Sequence, residues 1–358
     1  MKRVLLATTA LFALSGVTVA AADVSLSGHV RFHYDAWSDK TEDSDSGKNN
    51  NSTSTDPEIW IKGNTVTDSG LTVAPEIRIK GKDGETKRHY IKLADDWGTL
   101  TLGRQHSVGR TMSLDGEWRG TVSGANAPAG ANATNLDDSL GEFADADALA
   151  AAKGMQLMTT PDIGAYAGPS AIIYQTPDIS GFMAGVYFGD SGADSKANAT
   201  DIALTYSLDA FGDGAVKVGY ISNRVAAKDG ENASKKQDNS QIGVELTSGD
   251  FLASVVQTKK KATPKSGGTV EKQTGQELEV AYTAADNLTL NLVYFSSKSD
   301  EGLAKGDKYK STGVGVKYTI APGLYTSLGY NTFTYTPNRT GAGKNEGNGM
   351  RLRVHAGF

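Results

Sequence analysis

The last nine residues constrain the fold more than any other stretch. Successive side chains of an extended strand point to opposite faces. Met350, Leu352, Val354, Ala356 and Phe358 therefore share one face, and Arg351, Arg353 and His355 the other. The pattern recurs along the chain. Val24, Leu26, Val30, Phe32 and Tyr34 oppose Ser25, Ser27, His29, Arg31 and His33; Ile77 and Ile79 oppose Glu76, Arg78 and Lys80; Leu278, Val280 and Tyr282 oppose Glu277 and Glu279. Similar apolar rows run through 202–208, 216–220, 242–246, 288–294 and 314–320. A soluble core would not tolerate so many charges on the second face, because burying a charge without a partner is costly. A sheet closed on itself tolerates them if its apolar face meets lipid and its charged face meets a water-filled lumen.

The alternation predicts sixteen strands: 23–37, 56–68, 70–82, 86–95, 97–106, 168–176, 180–190, 198–209, 212–224, 236–248, 250–262, 272–285, 286–299, 308–320, 322–336 and 346–358. Tight turns such as 68–70, 248–250 and 321–323 alternate with polar connections that are mostly longer, at 38–55, 107–167, 225–235, 263–271, 300–307 and 337–345. Short turns on one side and long loops on the other mark an outer-membrane barrel, and an even strand count puts both termini on the short side. Trp97, Phe182, Phe211, Phe251, Tyr325 and Phe358 all lie near the short turns, as an interfacial girdle would. The expected fold is all-β: a 16-stranded antiparallel transmembrane β-barrel with a long third loop folded into the pore. Barrels of about this size leave an aqueous channel.

The N-terminus reads as an export signal. Lys2 and Arg3 precede an apolar stretch over 4–19, and Ala20, Ala21 and Ala22 offer a small-residue cleavage site. Residues 1–22 are assigned as signal peptide and 23–358 as the barrel domain. The 336 residues left carry a formal charge of −7, the whole chain's −5 less Lys2 and Arg3. This acidic balance offers no footprint for nucleic acid. A cysteine-free exported chain of this size suits a bacterial envelope. Beyond the signal no apolar run approaches the roughly 20 residues of a membrane helix.

The connection 107–167 is out of scale, and loops of this length are usually functional or disordered. It contains a predicted short helix over 143–153 and seven acids: Asp115, Glu117, Asp137, Asp138, Glu142, Asp145 and Asp147. Folded into the barrel, these acids would face bases on the wall: His29, Arg31, Lys62, Arg78, Lys80, Lys87, Arg88, Arg104, Arg351 and Arg353. Opposed charges across a constriction create a transverse field that favours polar solutes.

On these residues the chain resembles the general porins of Gram-negative bacteria. The resemblance rests on the opening strand 24–34, on Asp96-Trp-Gly-Thr-Leu-Thr-Leu-Gly-Arg-Gln105 leading into the long connection, and on the strand ending at Phe358. It implies passive diffusion of ions and small hydrophilic solutes, a homotrimer, and a constriction between loop acids and a basic ladder. It also implies outer-membrane lipid and lipopolysaccharide as surroundings, with Phe358 as the signal read by the barrel-assembly machinery. The ladder's second-strand position is Glu58 here, and its fourth-strand position matches either Lys87 or Arg88. The acidic loop and net charge point to a weak cation preference. A substrate-selective channel for sugars or an anion is the alternative, which an aromatic track along the lumen would favour; most aromatics instead fall on the lipid-facing parity.

No enzyme signature is present. Gly341-Ala-Gly-Lys344 lacks the rest of a phosphate loop. Asp43-Ser-Asp45-Ser-Gly47 breaks calcium-loop spacing, leaving room only for loose calcium binding by acidic loops. His29 and His33, roughly 13 Å apart on one strand face, are too distant for one metal. Neither a catalytic residue, nor a cofactor, nor a metal site is expected.

Overall fold

The computed structural model describes residues 23–41, 48–81, 84–114, 170–190, 198–210, 212–225, 235–264, 269–302, 304–338 and 344–358. The strands are β1 (Asp23–Thr41), β2 (Lys48–Val66), β3 (Thr72–Lys80), β4 (Thr86–Asp95), β5 (Gly98–Arg104), β6 (Ala171–Gln175), β7 (Phe182–Asp190), β8 (Asn198–Ala210), β9 (Gly214–Val225), β10 (Lys235–Ser248), β11 (Phe251–Pro264), β12 (Glu271–Ala285), β13 (Leu288–Glu301), β14 (Lys308–Ala321), β15 (Leu324–Thr336) and β16 (Asn345–Gly357). A single helical turn, α1 (Val108–Thr111), follows β5. Each strand pairs antiparallel with its neighbours in sequence, and β1 pairs with β16, so the sheet is a closed barrel. The sixteen-stranded architecture read from the alternation is the architecture observed.

Closure is made at the chain's end. The Gly28 and Phe358 backbones exchange two hydrogen bonds, both at 3.0 Å. A Cβ at Gly28 would run into the Glu58 carbonyl and the Phe358 ring, so the close approach needs glycine there. No sheet edge is left between the two termini, as a spanning sheet requires, since each unpaired backbone group in hydrocarbon costs several kcal/mol.

The outer face carries the apolar parity. Leu26, Phe32, Ile77, Ile172, Ile202, Leu208, Ile242, Val255, Leu292 and Val314 are among its exposed side chains. Near the short turns Trp97 stacks on Tyr174 at 6.2 Å, and Phe251 on Tyr282 at 4.5 Å between ring centres. Phe182 and Phe358 lie on the same side. These form the expected lower girdle, with one exception and one position, Phe211, outside the described residues. Tyr325 faces inward, stacked on His355 at 4.5 Å beneath the Lys317 ammonium. Distance from a turn does not report which face a residue takes, and on β15 the odd positions point in.

The first hairpin is taller than expected. The loop predicted over 38–55 is mostly strand, since β1 and β2 stay paired up to Asp39 and Lys48. The residues of 48–55 are Asn, Ser and Thr almost throughout and have no apolar face, so alternation cannot reveal them. Backbone pairing to β1 is enough to hold them extended. Beside this hairpin the wall drops, because β3 ends at Lys80 and β5 at Arg104.

A lipid-facing charge and a lumen-facing charge should differ in cost. Leu292→Arg, on the outer face, should destabilise the barrel by about 2–4 kcal/mol in refolding titrations into phosphatidylcholine vesicles. Thr289→Arg, on the inner parity of the same strand, should cost less than about 1 kcal/mol.

Candidate functional site

The inner face of β16 and β1–β4 concentrates base. His29, Arg31, Lys62, Arg78, Lys80, Arg88, Arg351 and Arg353 occupy the parity opposite the exposed apolar rows. Arg104, expected on the wall, does not: it pairs with exposed His89 and shares the parity of exposed Leu102, because the alternation on β5 puts Thr101 and Gly103 inward. Lys87 joins the inner bases although it precedes Arg88. The β3–β4 register shifts by one residue between Arg78 and Ile79, so that Arg78 pairs with Arg88 while Ile79 pairs with Thr86. This bulge leaves Lys87 unpaired with β3 and lets both bases reach inward. The choice between Lys87 and Arg88 is thus no choice: the wall uses both.

Glu58 is the hub of this wall. Its carboxylate is fully buried and accepts hydrogen bonds from Arg78 and Lys87. Trp60 Nε1 donates to its Oε2 at 3.3 Å, and the indole face is covered by Lys62 and Arg78, at 4.9 and 4.8 Å from the ring centre. Arg351 grips Asp35 with two bonds, Nε to Oδ1 at 2.6 Å and Nη2 to Oδ2 at 3.1 Å. Arg31 Nη1 lies 3.5 Å from Asp56, and its Nε donates to His355 Nδ1 at 3.2 Å. Arg353 Nε donates to His33 Nε2 at 3.1 Å, and Arg104 Nη1 to the Thr86 carbonyl at 3.2 Å. Lys62 and Lys80 reach Glu76 and Glu85 at 4.0 and 3.9 Å.

Several of these partners, above all Asp35, Asp56 and Trp60, are absent from the residues singled out by sequence. Alternation places each on the inner face, but which base each meets depends on the β1–β16 and β1–β2 registers. A cluster of His29, Asp56 and Glu58, with ligand atoms all within 4.8 Å of one another, was likewise invisible. Its carboxylates are already engaged by Arg31, Arg78 and Lys87.

The connection after β5 turns inward at its start. Ser113 Oγ donates to Gln241 Oε1 of β10 at 2.8 Å. Val108 and Met112 pack with Tyr187, Ala199, Ala203 and Ile221 on the inner face of β7–β9. They cross at glycines: a Cβ at Gly185 would strike Val108 and Met112, and Cβ atoms at Gly219 and Gly243 would press on Leu114. Burial, with Arg88 and Arg110 nearby, pushes His106 down to about 3, leaving it neutral at physiological pH. The seven acids Asp115, Glu117, Asp137, Asp138, Glu142, Asp145 and Asp147, the expected helix 143–153 and the expected signal 1–22 lie outside the described residues.

The facing wall differs in character. Asn223 donates to Asp201 at 2.5 Å and Asn239 to Asn223 at 2.9 Å. Phe295, Tyr309 and Phe333 form an aromatic row on β13–β15, with ring centres 6.1 and 6.2 Å apart. These three are inward exceptions to the expectation that most aromatics take the lipid parity. These rings are at most 2% exposed, so they pack as a local core and present no open track.

An outward apolar band, paired termini and a charged interior define a transmembrane barrel of the outer-membrane type. The Gram-negative porin family model matches residues 7–338, and the chain belongs to that family. Among solved structures it is similar to the anion-selective porin from Comamonas acidovorans, at 15% identity and TM-score 0.64 over 94% of this chain and 100% of that one. It is also similar to OmpT, an outer membrane protein of Vibrio cholerae, in trimer form, at 16% identity and TM-score 0.59 over 94% and 99%. A third is the outer membrane channel DcaP of Acinetobacter baumannii, at 13% identity and TM-score 0.58 over 96% and 100%. At these identities the likeness is one of fold. No curated protein matches the chain. Family and fold together make it an outer-membrane channel.

Glu58→Gln should leave Arg78 and Lys87 facing a neutral amide in a buried position. Discounted for the partly wet lumen, the cost should be about 1–3 kcal/mol in urea unfolding, and Glu58→Asp should recover part of it.

Proposed function

We propose that the protein is a porin forming a water-filled channel for passive diffusion of ions and small hydrophilic solutes, with a weak cation preference. The observation that carries this reading is the inner wall itself. Its charges are paired laterally, base to acid along the wall, so they can line water without a bound partner. The bases would form one side of a constriction and the acids Asp115 to Asp147 the other, with the loop entering the lumen along the path begun by 107–114. The cation preference follows from those seven acids and the negative charge of the mature chain. It is weak because the basic wall acts against it. That wall favours a second reading, an anion-selective channel. The same reading takes 1–22 as a cleaved export signal, Phe358 as the assembly signal, the barrel-assembly machinery as an assembly partner, a homotrimer as the working unit, and outer-membrane lipid and lipopolysaccharide as its surroundings.

Planar-bilayer recording of the purified protein tests this. Stepwise conductance is expected, with a reversal potential of cation sign in a salt gradient. Absence of steps would sink the channel reading, and an anion-sign potential would replace the first selectivity with the second. Removing Phe358 should sharply lower the amount of folded barrel recovered from the outer membrane, measured by heat-modifiable migration.

A further inference from the structure

The β1–β2 register sets His29 directly opposite Glu58 and Arg31 directly opposite Asp56. All four take the inner parity, so His29 and Asp56 are diagonal neighbours on the wall, within reach of each other. His29 Nε2 lies 3.9 Å from Asp56 Oδ2. One ligand atom from each of His29, Asp56 and Glu58 falls within 4.8 Å of the other two. Around a tetrahedral metal with bonds of about 2.0–2.2 Å, neighbouring ligand atoms stand roughly 3.4 Å apart. Small side-chain rotations therefore bring the three to bonding distance of one ion.

The imidazole is the unusual member. It is 2% exposed, yet neither Nδ1 nor Nε2 has a hydrogen-bond partner among the described residues. Its ring neighbours leave both nitrogens unpaired: Trp60 meets it edge-on at 5.7 Å, and His355 lies 5.0 Å away with its plane tilted by 33°. A polar group buried without a partner is destabilising, and a bond from one ring nitrogen to a metal removes part of that penalty. The carboxylates can take part although bases hold them. Asp56 meets Arg31 only at 3.5 Å. Glu58 is held by Arg78 and Lys87, but a carboxylate offers about four lone-pair sites. The exchange also balances in charge. A divalent cation brings two positive charges, and Arg31 and Lys87, both partly exposed, bring one each. They can turn to lumen water as the cation enters, while Arg78 stays on Glu58.

From this geometry we infer that His29, Asp56 and Glu58 form a site for one borderline divalent cation of the Zn2+ class, taken up in exchange for Arg31 and Lys87. Imidazole selects such an ion over the hard cations Ca2+ and Mg2+, which take oxygen ligands. Three protein ligands leave the fourth position to water from the lumen. The site stands apart from the channel reading proposed above, since binding needs only the folded wall.

The folded protein is purified in detergent, stripped with a chelator and dialysed against increasing Zn2+, and the Zn2+ bound per chain is measured. Wild-type protein is expected to saturate at one Zn2+ per chain in the micromolar range, and His29→Gln and Asp56→Asn to bind at least about tenfold more weakly. Arg31→Gln removes a competing base and should bind at least about threefold more tightly. Millimolar Ca2+ should leave the bound Zn2+ in place. Absence of saturable binding below millimolar Zn2+ would overturn the site, as would equal binding by wild type, His29→Gln and Asp56→Asn. Full displacement by Ca2+ would also overturn it, because carboxylate attraction alone would then explain the uptake. Unchanged binding by Arg31→Gln would overturn the exchange. If His29→Gln does not fold, as judged by heat-modifiable migration, Asp56→Asn decides: weaker binding supports the site and unchanged binding overturns it. Conductance of the same preparations keeps the two readings apart. Zn2+ bound by a protein that does not conduct overturns the channel and leaves the site standing, and a conducting protein that binds no Zn2+ does the reverse.

Discussion

Every backbone amide and carbonyl that meets hydrocarbon must find its partner within the protein. The rest of the molecule follows from that requirement. It forbids an edge, so the last strand must return to the first, and the Gly28–Phe358 bonds complete the ring. Closure makes an inside and an outside, and side-chain alternation then assigns every residue to one or the other. The modest apolar content of the chain, with a mean hydropathy of −0.36, is no obstacle, because only one face of the sheet needs to be apolar.

The inside obeys a different rule. A wet lumen does not penalise charge as an apolar core would, yet bases set side by side still repel. The wall manages them by interleaving acids: Asp35 under Arg351, Asp56 beside Arg31, Glu58 between Arg78 and Lys87. The bulge on β4 brings two consecutive bases to one face, and a fully buried carboxylate is what allows one of them to stay there. At position 58, which the resemblance makes part of a basic ladder, the chain carries an acid, and the bases that meet it come from β3 and β4.

What was legible in the sequence is what depends on parity and turn chemistry. The sixteen strands, the inner and outer faces of the wall, and the meeting of the termini can be read from residues such as Arg351, Arg353 and Phe358 alone. What was illegible depends on register and on polar strands. Lys48 to Thr55 carry no apolar alternation, so a strand there looks like a loop. Tyr325 looks like a girdle aromatic because it sits near a short turn, although parity puts it, like Phe295, Tyr309 and Phe333, on the inner face; that the last three stack as a row depends on register. The Glu58 hub needs the β2–β3 register and the β4 bulge, neither of which leaves a signal in the order of residues.

The seat of the inward segment has a consequence of its own. Val108, Met112 and Leu114 rest on Gly185, Gly219 and Gly243, three positions on three strands that share the absence of a side chain. How closely residues 108–114 lie against the far wall is thus set partly by what that wall omits. A methyl group added on β7, β9 or β10 would lift the segment toward the bases on β1–β4 without altering any charge in the lumen. The seat of the inward segment and the bases of the wall therefore lie on different strands, where one can change while the other is kept.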